Sequence, residues 1–134
     1  RPVSLAPASA TPGDPVVVVG YPLGVTVMLA KSPRKIYQRL AFSTDTIDVA
    51  RELAARKLIR PSATYGHLGD VVDERLIYDA PTAQGGSGGP VFNSNGEVIA
   101  VNTAYIDGFA GGTLGISVDL LRPLIHRAEQ ARKP

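Results

Sequence analysis

At 134 residues, with 44% hydrophobic and 19% charged positions, the chain suits one domain with a genuine core and is too short for two. Its composition excludes intrinsic disorder, and it has no apolar run near the roughly 20 residues of a membrane-crossing helix. Zero cysteines exclude disulfide frameworks, zinc ribbons and thiol nucleophiles. With His67 and His126 the only histidines, a histidine-rich metal site is not expected, and no motif calls for a cofactor.

Charge divides the chain more sharply than its formal net of +2 suggests. Lys31 to Arg60 holds eight basic residues against three acidic, whereas from Pro61 to Asp119 Arg75 stands alone against seven acidic residues. A basic stretch can meet nucleic acid or an anionic surface. Here the cations are interleaved with Asp45, Asp48 and Glu52, as on a solvated helix face, and no aromatic pattern for base stacking accompanies them. No nucleic-acid partner is expected.

Residues 1–14 read as an extended lead-in, and Pro12-Gly13-Asp14-Pro15 as a turn. The sequence opens on Arg1 with no signal-peptide pattern, so it reads as a piece of a longer protein. Val16 to Val19 is a β-branched run closed by Gly20, the pattern of a covered strand. Val25 to Ala30 reads as extended, and Ile36 to Phe42 as a weaker strand.

Between Thr44 and Arg60 the period changes. Ile47, Ala50, Leu53, Ala54 and Leu58 share a helical face, Thr44, Asp45 or Thr46 supplies the cap, and Pro61 stops the helix. Strands resume at Ala63 to Val72, Arg75 to Ala80, Pro90 to Asn93, Glu97 to Ala104 and Thr113 to Val118. Asn95-Gly96 reads as a two-residue hairpin turn with both residues at positive φ. Asp119 is the expected cap of a last helix with Leu120, Leu121, Leu124, Ile125 and Ala128 as its apolar stripe. The sum is an all-β chain, a six-stranded antiparallel barrel with one inserted helix and one C-terminal helix.

Ala83 to Val91 carries the chemistry. Four glycines surround Ser87 between two strands, although glycine in a strand costs about 0.5–1 kcal/mol relative to alanine. Such a backbone bends sharply and can turn the N–H groups of Gly85 and Ser87 into one concavity beside the Ser87 hydroxyl, a site for a developing oxyanion. A Gly-rich turn with an incidental serine has the same composition, but the flanking strand and hairpin argue for a rigid loop.

Gly85-Gly86-Ser87-Gly88-Gly89-Pro90-Val91 resembles the nucleophile loop of trypsin-like serine proteases, in particular the bacterial HtrA/Deg-type group. Pro12 to Gly24, Tyr78-Asp79-Ala80-Pro81-Thr82, Asn95 to Thr103 and Gly115 to Leu124 resemble further motifs of that family in the same order. The resemblance implies that residues 1–134 are the second barrel of a trypsin-like double barrel, with a basic helical insertion at about residues 31–61. It implies Ser87 as the acyl-forming nucleophile and Gly85, Gly86 and Ser87 as the oxyanion loop. Pro81, Thr82, Gln84, Thr103, Ala104, Tyr105 and Gly115 would bind substrate. None is acidic, so a small or medium neutral side chain is expected in the primary pocket.

The family's catalytic His and Asp belong to the first barrel, and neither His67 nor His126 stands at the position of its base. The isolated chain is therefore expected to be inactive. Its implied partners are a peptide or protein substrate, the N-terminal barrel and further copies of itself, and the implied location is extracytoplasmic. The competing reading is an inactive peptide-binding or assembly module of the same fold. Gly86 departs from the family, where digestive members carry Asp and HtrA-like members Asn, so activation by an inserted N-terminus is not expected. The connection after Gly24, about 30 residues longer than in typical members, suits a lid or docking surface.

Overall fold

Residues 2–7 and 10–132 are described by a computed structural model. Its strands are β1 (Pro15–Gly20), β2 (Ser62–Val72), β3 (Arg75–Tyr78), β4 (Pro90–Phe92), β5 (Val98–Tyr105) and β6 (Thr113–Ser117). They close antiparallel into a barrel in the order β1-β2-β3-β6-β5-β4, as the strand periods required. Strand alternation sends every second side chain inward, and a barrel this small is filled by them. Val16 and Val18 of β1 thus join Leu68, Leu76, Tyr78, Val91, Ile99 and Ala100 in one core. Fully burying a Val or Leu side chain is worth about 1.5–3 kcal/mol. The valine run is covered mainly on one face, for Val17 and Val19 are only half-buried.

The lead-in is strapped down. Ala6 N–H donates to Val98 O (2.9 Å), Val98 N–H donates to Ser4 O (2.9 Å), and Arg122 of the last helix donates to Ala6 O. The Asn95-Gly96 hairpin has a longer loop than expected. Only Gly96 has positive φ, and the Asn93 side chain accepts from the N–H groups of Asn95 and Glu97.

Three helices, rather than one, fill the connection from β1 to β2, the first of them ahead of the expected insertion at 31–61: α1 (Gly24–Ala30), α2 (Arg34–Leu40) and α3 (Thr46–Ala55). The expected strands at Val25 to Ala30 and Ile36 to Phe42 are therefore corrected. Val25, Met28 and Leu29 also satisfy a helical spacing, and α2 offers only Ile36 and Leu40 inward, too few to fix a period. These side chains meet Val49 and Leu53 of α3 in a second core separate from the barrel's. Ile47, expected on the inner face of α3, is 64% exposed. Asp45 caps α3 through bonds from the N–H groups of Ile47 and Asp48. The helix ends at Ala55, well before Pro61, where Lys57 takes the left-handed conformation.

Two devices hold the insertion in shape. At its base, Lys31 Nζ donates to Arg60 O, Pro61 O and Ser62 Oγ, tying entry to exit. Across its surface Arg56 and Arg39 bind Glu52 and hold that carboxyl below its ordinary pKa. A lowered carboxylate pKa stabilises above the unfolded value, and that support is lost as pH falls through the folded one. The last helix, α4 (Val118–Ala131), is capped by Ser117 Oγ accepting from Asp119 N–H; Asp119, the expected cap, sits in its first turn.

Separate cores predict separable unfolding. Leu53 is 0% exposed, and Leu53→Ala is expected to cost the insertion about 2–5 kcal/mol. Limited proteolysis should then cut between Gly24 and Pro61 while barrel amides keep their protection from hydrogen exchange; simultaneous loss of both would show a single cooperative unit.

Candidate active site

Between β3 and β4 the chain crosses the barrel mouth from Asp79 to Gly89 with no regular structure, and each end is tied. Asp79 Oδ1 accepts from His67 N–H (2.5 Å), and Thr64 Oγ1 donates to Pro81 O (2.7 Å). At the far end Gly88 N–H donates to Asn102 O (2.8 Å) and Asn102 N–H donates to Gly89 O (2.9 Å). Two reverse turns lie between, closed by Gly86 N–H to Ala83 O (2.9 Å) and Gly89 N–H to Gly86 O (3.3 Å). The glycines divide into two jobs. Gly85 (φ 88) and Gly88 (φ 86) occupy the left-handed region, while a Cβ on Gly86 or Gly89 would lie 2.3 Å from Thr82 Oγ1 or Val19 O.

The direction of two peptide groups follows from their carbonyls. Gln84 O accepts from Leu23 N–H (2.7 Å), where the chain enters α1. Gly86 O accepts from Asn102 Nδ2 (2.9 Å). Every peptide bond among the described residues is trans, so each amide points opposite to its carbonyl. Gly85 N–H therefore faces away from Leu23 and Ser87 N–H away from Asn102. Among the described residues neither meets an acceptor. The Gly86 amide, expected with them, is committed to Ala83.

Ser87 is exposed, and its Oγ donates to Thr103 O (2.8 Å). It borders a groove of about 310 Å³ lined by Thr82, Gln84, Thr103, Ala104 and Tyr105 among others, with no acidic residue. A second recess of about 400 Å³ lies on its other side, toward Tyr21 and Pro61. Beyond Asn102, β5 pairs with β6 on one side and has no strand on the other, since β4 reaches only Val101.

Two of the expected groove residues lie elsewhere. Pro81 lines a roomier recess of about 470 Å³ beside His67 and Asp79, and a small one with Thr82 and Gly86, but not the Ser87 groove. Gly115 is buried in the barrel, where a Cβ would sit 3.1 Å from both Ala100 and the Tyr78 hydroxyl. Neither histidine borders Ser87. His67 is exposed on β2, and His126 on α4 contacts Gln130. Sequence reasoning missed Asn102 and Leu23 as loop anchors. Asn102 had a signal, as an amide side chain directly following the apolar run Val98 to Val101; the Leu23 contact had none.

The chain is similar to known proteins in sequence and in fold. A family model described as the trypsin-like peptidase domain matches residues 1–101. Over 45 residues, 34% of this chain, the sequence is 47% identical to a protein of Rhizobium meliloti (strain 1021) described as "Probable periplasmic serine endoprotease DegP-like", and the match covers 9% of that protein. The fold resembles a serine endoprotease from Yersinia pestis with TM-score 0.61 at 18% identity, over 93% of this chain and 34% of that one. An inactive-form mutant of a Mycobacterium tuberculosis protein gives 0.63 at 17%, over 99% of this chain and 56% of that one. At such identities the solved structures speak for the fold alone. The chain spans little more than half, or less, of each relative.

Close packing around Gly86 generates a prediction. Gly86→Ala is expected to push Thr82 Oγ1 off Asn102 and lower stability by about 1–3 kcal/mol in urea unfolding. An unchanged midpoint would show that Thr82 turns aside freely.

Proposed function

The chain belongs to the trypsin-like peptidase family, and we propose that it is the Ser87-bearing second barrel of a serine endopeptidase. The single observation that supports this most is the pair of anchored carbonyls, Gln84 and Gly86. They leave the Gly85 and Ser87 amides unpaired beside an exposed hydroxyl. In this reading Ser87 Oγ attacks the carbonyl carbon of the scissile peptide bond while a base takes the hydroxyl proton. The carbonyl oxygen becomes an oxyanion held by Gly85 N–H and Ser87 N–H, with Gly86 acting as the spacer between them. As the C–N bond breaks, the base returns its proton to the leaving amine, and water then releases the acyl group from Ser87. Losing one such amide donor typically costs roughly 2.7–4 kcal/mol of barrier.

This chain supplies the nucleophile and cradle but no base. A hydroxyl resting on the neutral Thr103 carbonyl is not activated, so His and Asp come from a companion barrel in this proposal. The apolar stripe of α4, with Leu120, Leu124 and Ile125 all exposed, offers a seat for it. Substrate enters extended along the free side of β5 at Thr103 to Tyr105, adding as a strand. Its small or medium neutral side chain enters the groove by Thr82 and Gln84, where no acidic group would balance a cation. The periplasmic relative supports an extracytoplasmic location.

A second reading, a peptide-binding module without catalysis, is favoured by one observation: no histidine borders either recess at Ser87 among the described residues. A fluorophosphonate probe separates the two. The full-length protein should be labelled, its Ser87→Ala variant spared, and residues 1–134 alone labelled about 10³-fold or more slowly. An unlabelled full-length protein favours the binding module.

A further inference from the structure

A buried polar pair inside the barrel points at the cradle. Asn102 is 1% exposed and Tyr78 0%, and Tyr78 OH donates to Asn102 Oδ1 at 2.7 Å. The other end of the Asn102 amide makes two bonds, to Gly86 O at 2.9 Å and to Thr82 Oγ1 at 3.1 Å. A carbonyl can only accept, so Gly86 O fixes which end of the amide faces it, and this obliges the Tyr78 hydroxyl to donate. Burial raises the Tyr78 pKa, which keeps that proton in place. Register contributes as well: the β5–β6 pairing shifts after Asn102, and the residue opposite Asn102 is Gly115. Its missing side chain leaves room for the Tyr78 hydroxyl, since a Cβ there would approach it to 3.1 Å.

We infer that Asn102, oriented by Tyr78, is a positioning residue that sets the direction of the Gly86–Ser87 peptide and hence of the Ser87 amide. One amide hydrogen of Asn102 holds the cradle peptide and the other holds Thr82 in the groove wall, so a single side chain keeps groove and cradle in register. Ser87 N–H faces outward because its peptide partner is pulled inward. An apolar residue at 102 would leave the buried Tyr78 hydroxyl without its partner and Gly86 O with only the longer bond from Gly89 N–H. An aspartate would set a carboxyl oxygen against the Gly86 carbonyl and turn that peptide over.

The kinetic consequence rests on the proposed peptidase reading; the structural one does not. The test therefore has two arms on full-length protein. Asn102→Asp should lower kcat about 10²- to 10³-fold, the loss typical of one oxyanion donor, with KM within about threefold of wild type. A crystal structure of the same variant should show the Gly86 carbonyl rotated toward the groove. A variant that is damaged only in its folding would instead lose active enzyme, with kcat per titrated Ser87 unchanged, and this would overturn the inference. So would a Gly86–Ser87 peptide that has not moved. Should Asn102→Asp fail to fold, Tyr78→Phe carries both arms, with an expected loss of about tenfold in kcat; wild-type kcat and an unmoved loop would overturn the inference there. If wild-type protein cleaves no peptide, the peptidase reading fails, and the crystallographic arm alone decides the role of Asn102.

Discussion

A trans peptide cannot turn its carbonyl and its amide to the same side, and the loop around Ser87 is organised by that constraint. Leu23 N–H pulls the Gln84 carbonyl one way, and Asn102 Nδ2 pulls the Gly86 carbonyl into the barrel. Each pull leaves an amide without an acceptor among the described residues, at Gly85 and at Ser87. Four glycines make it possible, two through left-handed φ and two through the absence of a Cβ where neighbouring atoms approach. A concentration of glycine that would loosen an unanchored loop is here compatible with a defined geometry, because bonds to β2 and β5 and to the start of α1 hold it.

The two anchors come from different parts of the fold. Asn102 belongs to the barrel, within an interior filled by side chains and held by its Tyr78 partner. Leu23 belongs to the mouth of the helical insertion, which has its own core of Met28, Val49 and Leu53 and its own closure through Lys31. One half of the loop therefore leans on the most buried part of the molecule and the other on a satellite with an independent core. Local stability differs between such units, since cooperative openings follow contiguous packed clusters.

The charge division of the chain finds a structural counterpart in the same partition. The cations of residues 31–60 lie on the insertion, where Arg39 and Arg56 converge on Glu52 and Arg51 meets Asp48. Ion pairs this exposed contribute little to stability, because solvent and salt screen them. The insertion is held mainly by its small apolar core, by the Asp45 cap of α3 and by the Lys31 closure at its base.

Much of this protein was legible in one dimension. Period-two strands, the change to helical period after Thr44, and the glycine pattern around Ser87 are local consequences of side-chain alternation and backbone sterics. They sufficed for six strands, an all-β barrel and the serine loop. Where two periods fitted the same residues, at Val25 to Ala30, or where too few apolar positions set any period, at Ile36 to Leu40, only a shared core with α3 selected helix. The same limit governed the loop. Glycines at 85 and 88 announce a turn by themselves, but which amides remain free depends on bonds from Leu23 and Asn102, remote in sequence and brought near only by barrel closure and the insertion. Gly115 shows the limit most plainly: the family resemblance implied a place in the groove wall, whereas in the fold it is buried against Tyr78 and Ala100 inside the barrel.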